Sequence, residues 1–188
     1  LKALLEVKHI APPYILVGHS MGGFLIRYFA HLYPDQVAGL VFIDAPHEDW
    51  FAYIRSHHTP EELQFFNNFF DPEKRKMKKP AKAELSCYSS LCDSIRGKMI
   101  PEQIPVRMYT GKKHGKWATT FGYTPDDLNV WAQMQGSILD GVNDARQYID
   151  SSASHMFHKD KQELVSSGIQ ELILKHRSVR MADSGTVH

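Results

Sequence analysis

The residues in this chain with the clearest chemical potential are Ser20, held in the run Gly18-His19-Ser20-Met21-Gly22, and eleven histidines, any of which could in principle serve it as a base. A serine hydroxyl is a weak nucleophile near neutral pH. It needs an imidazole within hydrogen-bond reach to take its proton, and a third group to hold that imidazole. The G-x-S-x-G spacing suits the task because a serine on a sharp strand-to-helix turn presents its hydroxyl, and small flanking residues let strand and helix come close. Gly18 and Gly22 are both expected to be there for that steric reason. Three fixed positions of common residue types recur by chance in roughly one chain in twenty of this length, so the flanks decide. Tyr14-Ile15-Leu16-Val17 precedes the motif, and Phe24, Ile26, Tyr28, Phe29 and Leu32 follow at helical spacing. That is the strand, turn and helix the motif requires.

Among the histidines, His19 lies inside the turn and is expected to pack against it rather than to react. His155 and His158 share a loop near the end of the chain, and His158 stands where a helix would begin, a position suited to capping or packing. His47, Glu48, Asp49, His57 and His58 could suggest a metal, but their spacing fits no ligand set, which makes them solvated side chains. Cys87 and Cys92 cannot build a disulfide framework, and a C-x4-C spacing matches no common zinc pattern. They read as reduced thiols, and a cytoplasmic setting is favoured. No metal and no organic cofactor is required.

The chain has 188 residues, 43% of them hydrophobic, enough for one sizeable core. A formal charge of +1 argues against a nucleic-acid partner, and the basic run of residues 74–79 reads as a solvated loop. No stretch approaches the ~20 apolar residues of a membrane span. Leu1, Leu4 and Leu5 share a helix face, and Pro12-Pro13 hands over to the strand before Ser20. Pro34 ends the helix behind it. Residues 37–43 form a nearly continuous apolar run, the mark of a strand buried on both faces, and Asp44 stands at its carboxyl end.

From His47 to about Ile104 the pattern turns to short helices rich in aromatics. Thr59-Pro60-Glu61-Glu62 is a helix start, followed by Leu63, Phe66 and Phe70 on one face. Residues 105–111 read as the next strand. Thr124-Pro125-Asp126-Asp127 opens a helix with Leu128, Trp131, Met134 and Ile138 on one side, residues 146–149 form a last short strand, and a closing helix runs over about 160–176.

The stretch from Tyr14 to Phe29 resembles the α/β-hydrolase family. The resemblance continues through residues 33–44 and resumes at Ser154-His155-Met156-Phe157-His158-Lys159-Asp160 with Glu163-Leu164-Val165, similar to that family's histidine loop and last helix. It implies an α/β fold, the C-terminal part of an α/β hydrolase with about four parallel strands flanked by helices. Residues 1–46 and 105–176 would form the core, 47–104 a helical cap over the substrate pocket, and 177–188 a flexible tail. Since many members place about four strands ahead of the serine turn, the chain is expected to be a piece of a longer protein.

The resemblance also implies roles. Ser20 would be the nucleophile and His155 the base, with the Met21 backbone N–H stabilising the oxyanion. In many members the acid follows the strand that here ends at Thr110-Gly111, but Lys112-Lys113-His114 comes next. Other members carry it where Asp44 stands, so Asp44 is the expected acid, with Asp126 and Asp144 as alternatives. Trp50, Phe66 and Phe70 are candidates for contacting substrate. The implied activity is hydrolysis of a carboxylic ester, or a related acyl bond, of a small molecule through an acyl-enzyme. A ligand- or partner-binding relative without catalysis is the alternative. Oligomeric state is not legible.

Overall fold

Four parallel strands stand side by side in chain order: β1 (Tyr14–His19), β2 (Val37–Ile43), β3 (Val106–Gly111) and β4 (Ala145–Asp150). A computed structural model of the chain describes residues 1–184 other than 75 and 77. The apolar run of β2 places it in the sheet interior, paired with β1 and β3. Its side chains alternate between two cores. Leu40 and Phe42 join Ile26, Phe29, Val106 and Met108 on one face, while Val41 and Ile43 join Tyr109, Val165 and Leu172 on the other.

Each core is closed by a helix. On the first face lies α2 (Gly22–Leu32), which buries Phe24, Ile26, Phe29 and Ala30; Pro34 stops it in a 3-10 turn, Pro34–Gln36, that leads into β2. On the second lies α10 (Gln162–Ser184), preceded by the short α9 (Phe157–Asp160). The closing helix therefore extends past His176, and the tail expected from residue 177 is helical through Ser184; residues 185–188 lie outside the described residues. At the start of the chain, α1 (Lys2–Val7) buries no residue, and of its expected apolar face only Leu5 packs on the core.

Between β2 and β3 run α3 (Trp50–His57), α4 (Gln64–Phe69), α5 (Lys79–Ser86) and α6 (Tyr88–Ile95). Between β3 and β4 run α7 (Lys116–Thr120) and α8 (Pro125–Ser137). An aromatic cluster joins the two sets, with Trp50, Leu63 and Phe66 packed against Phe121, Tyr123 and Trp131. The two capping signals differ in outcome. At Thr124 the box closes, with the Asp127 N–H donating to the Thr124 hydroxyl (3.1 Å) and the Thr124 N–H to the Asp127 carboxylate (2.7 Å), and α8 follows. At Thr59 the same exchange with Glu62 forms, yet it holds only a turn, and α4 starts later, at Gln64. No described helix is long and apolar enough to cross a membrane.

Candidate active site

Ser20 sits between β1 and α2 with φ of 52°, a left-handed conformation that a side chain adopts only at a cost of ~1–3 kcal/mol. The turn is held from both sides, because the Ser20 N–H donates to the Ile43 carbonyl (3.0 Å) and the Gly23 N–H to the Ser20 carbonyl (2.9 Å). Space explains the glycines, though not the pair expected. A Cβ on Gly18 would lie 2.6 Å from the Gly22 carbonyl oxygen, and one on Gly23 would collide with the Ala45 side chain, whereas one on Gly22 would meet nothing within 4 Å. Gly22 is thus not required by its own side-chain space; Gly23 is.

Asp44, at the end of β2, is the second strained residue here, with φ of 44° and 1% exposure. Its backbone N–H donates to the Tyr109 carbonyl (2.7 Å), which turns the side chain inward beneath α8. One carboxylate oxygen accepts from the Gly111 N–H (3.1 Å), the Trp131 indole N–H (2.8 Å) and the Gln135 amide (3.3 Å). Gln135 is itself oriented, since its carbonyl takes the Thr110 hydroxyl proton, and Gln147 donates to that hydroxyl (3.0 Å). The other carboxylate oxygen of Asp44 lies 2.7 Å from Nδ1 of His155.

His155 hangs on the loop between β4 and α9. Asp160 pins that loop by accepting from both the N–H (2.7 Å) and the hydroxyl (2.6 Å) of Ser154. Those bonds hold the Asp160 carboxyl below its ordinary value. The imidazole is packed on both sides: the Trp117 indole stacks on it at 4.7 Å between centroids and 9° between planes, and the His19 ring lies tilted at 4.7 Å. His19 also bonds the His155 carbonyl through Nε2 (2.9 Å), and burial lowers its basicity. Ser20 and His155 face one cavity of about 250 Å³, walled largely by aromatic rings.

The family model described as the alpha/beta hydrolase fold matches residues 1–91. Among solved structures, the alpha/beta superfamily hydrolase from Oenococcus oeni is 18% identical with a TM-score of 0.58, over 94% of this chain and 71% of that one. Alpha/beta hydrolase domain-containing protein 10 from mouse is 19% identical with a TM-score of 0.57, over 93% and 67%. This chain has the α/β-hydrolase fold. A thermophilic esterase from Thermogutta terrifontis is also similar, at 17% identity and a TM-score of 0.54 over 92% and 69%. The chain thus spans about two thirds of the length of these structures. No curated protein matches it.

Within this hydrolase fold, the residues expected from sequence fall into three groups. Ser20, Met21, Asp44 and His155 come together, and Trp50 and Phe70 line the same cavity. Phe66 does not: it is fully buried behind the wall, against Phe51 and Phe70. The alternative acids lie elsewhere, Asp144 beside Arg107 and Lys175 and Asp126 against Asn129. His158 packs its ring on His19 (4.8 Å). Two of the residues expected to be solvated are not, because Glu48 forms a buried pair with Arg27 (2.6 Å) and His58 meets Asp127 (2.9 Å).

Trp117, Trp131 and Gln135 were not legible as site residues. Trp131 reads as one more apolar residue on the inner side of α8. The only hint is chemical: a buried indole N–H needs an acceptor, and few are available at the end of a strand. Trp117 lies in a five-residue helix with no periodic signal.

Proposed function

We propose that the protein is a serine hydrolase that cleaves a carboxylic ester through Ser20, His155 and Asp44, with residues 47–104 forming a cap over the pocket. The observation that carries this reading is the 2.7 Å contact between His155 Nδ1 and a buried Asp44, beneath a cavity that Ser20 shares. A carboxylate on Nδ1 fixes the tautomer, leaving Nε2 unprotonated toward the cavity and able to accept the serine proton. In the first step the Ser20 oxygen bonds to the acyl carbon as its proton passes to His155, and the carbonyl becomes an oxyanion near the Met21 N–H. Among the described residues that N–H donates to no protein acceptor. The C–O bond to the alcohol then breaks, and His155 returns the proton to the leaving oxygen. Water repeats the sequence on the acyl-enzyme, regenerating Ser20 and releasing the acid. The likeness to the Thermogutta terrifontis esterase favours an ester over other acyl bonds.

The test is covalent labelling with a fluorophosphonate. Peptide mass spectrometry is expected to find the adduct on Ser20 alone, and Ser20→Ala to abolish both labelling and turnover. An adduct on another serine, or none on folded protein, overturns the reading and leaves a ligand binder.

A further inference from the structure

The inner face of α5 carries one residue that an apolar pocket does not need. Ala81, Glu84 and Leu85 share that face, Tyr88 follows at the start of α6, and all four line the cavity that holds Ser20 and His155. Three of them extend the apolar wall. The fourth is a carboxylate at the position in the stripe where Leu or Met would complete it.

Glu84 is exposed, at the rim, and among the described residues its side chain has no ion pair and no hydrogen bond. Two cations of the surrounding helices are engaged elsewhere: Lys82 pairs with Glu73 at 2.8 Å, and the Arg55 guanidinium lies over the rings of Phe51 and Phe66, at 5.6 and 5.8 Å from their centroids. The remaining acid of the site, Asp44, lies behind the wall and is consumed by His155, Trp131, Gln135 and Gly111. Tyr88 and Tyr123 are phenols that burial keeps neutral. Among the described residues Glu84 is therefore the sole carboxylate on the wall of the cavity. The same cavity is lined by rings that include Trp50, Phe51, Phe70 and Trp117.

Aromatic faces with one carboxylate at the rim form a cation site. The rings attract a weakly hydrated ammonium through their quadrupoles, and the carboxylate supplies the long-range field that draws it in. A neutral aliphatic ester would gain from the rings alone and would leave Glu84 unused. We propose that the cavity takes a small ester carrying an ammonium group, with Glu84 as the counter-ion that selects it. The volume, about 250 Å³, lies below the ~300–1,000 Å³ of sites for drug-sized ligands, which limits the substrate to a small molecule. This specificity rests on the reading of Ser20 and His155 as the reacting pair, while the binding preference can be measured without it.

The experiment compares two chromogenic esters of equal shape, 4-nitrophenyl 4-(trimethylammonio)butanoate and its carbon isostere 4-nitrophenyl 5,5-dimethylhexanoate, on the full chain. The cationic ester is expected to have a kcat/KM about tenfold higher, an advantage that shrinks as salt is raised. Glu84→Gln should bring the ratio to about one through KM of the cationic ester, with the neutral ester unchanged, and Glu84→Asp should retain part of the preference. Phenyltrimethylammonium should inhibit competitively, more weakly by the same factor in Glu84→Gln. A ratio near one in the parent, or a ratio that Glu84→Gln leaves unchanged, overturns the proposal. If neither ester is turned over, the hydrolase reading fails and binding decides. All three tryptophans of the chain line the cavity, so their fluorescence reports phenyltrimethylammonium directly. Tighter binding to the parent than to Glu84→Gln supports the cation site, and equal binding overturns it.

Discussion

Strand β3 has a buried ionic centre at each end, and the two are built on opposite principles. At its start, Arg107 is fully buried and shared between Asp144 (2.9 Å) and Glu171 (2.8 Å), with Lys175 and Arg146 completing the cluster. At its end, Asp44 is equally buried, but its partners are an indole, an amide, a backbone N–H and one imidazole. In the first cluster permanent cations cancel permanent anions, so no proton needs to move. In the second, neutral dipoles solvate a carboxylate whose one titratable partner is His155, and a positive charge arriving on that imidazole meets a field already in place. The difference separates a charge cluster that fastens α10 to the sheet from one that, on the proposed mechanism, serves proton transfer.

Exchanging the acid at each end tests this contrast, and the largest effect is expected at Asp44. Asp44→Asn keeps the shape while removing the charge and the tautomer control, and should lower kcat by up to ~10⁴ with substrate binding and thermal stability nearly unchanged. Steady-state kinetics beside a melting curve would read both. A kcat within a few-fold of the parent would mean that Asp44 does not orient the base.

Asp144→Ala should do the converse. It leaves the buried Arg107 guanidinium short of an acceptor, at a cost of about 2–3 kcal/mol in unfolding free energy by denaturant titration, with kcat preserved. A loss of activity with no loss of stability would erase the distinction between the two ends.

The smallest expected effect is on acid stability. Burial opposes ionisation of Asp144, but hydrogen bonds from Arg107 and Lys175 override it and hold its carboxyl below the ordinary value; the Arg107 hydrogen bond does the same for Glu171. Both groups bind protons more readily unfolded than folded. Their contribution is therefore complete above the unfolded carboxylate range, about pH 4, and is lost as pH falls through the folded values. The cluster's share, read as the difference in melting temperature between the parent and Asp144→Ala, should be constant from pH 7 to 5 and shrink below about pH 4. An equal slope in both proteins would show that the cluster is not the source.

The legible parts of the sequence were those governed by local rules. The continuous run of β2, the capped helix at Thr124 and the strand–turn–helix around Ser20 each follow from a few adjacent residues, and the place of Asp44 follows from where the β2 run stops, while its role as the acid rests on the family resemblance. What stayed hidden depends on contacts made across the fold. Phe66 and Phe70 share a helix face and both pack on Phe51 and Phe121, yet Phe66 is fully buried and Phe70 lines the cavity, a difference that only the assembled fold decides. The Trp117 stack on His155 joins residues brought together by the β3 and β4 loops. At Thr59 the reciprocal hydrogen bonds form but start no helix: they close a turn, and α4 begins at Gln64 with Leu63 at its N-cap.

Gly111 has a consequence at the level of mutational paths. A single base change turns any glycine codon into one for aspartate or glutamate, so an acid at the end of β3, where many relatives are expected to carry theirs, lies one step away in codon space. In this chain that step is closed. A Cβ at position 111 would collide with the Ser154 carbonyl oxygen and press against that of Ala153 (2.8 Å), the loop that carries His155. The same residue gives its N–H to Asp44. On the proposed reading, moving the acid from β2 to the end of β3 would thus require the His155 loop to move as well.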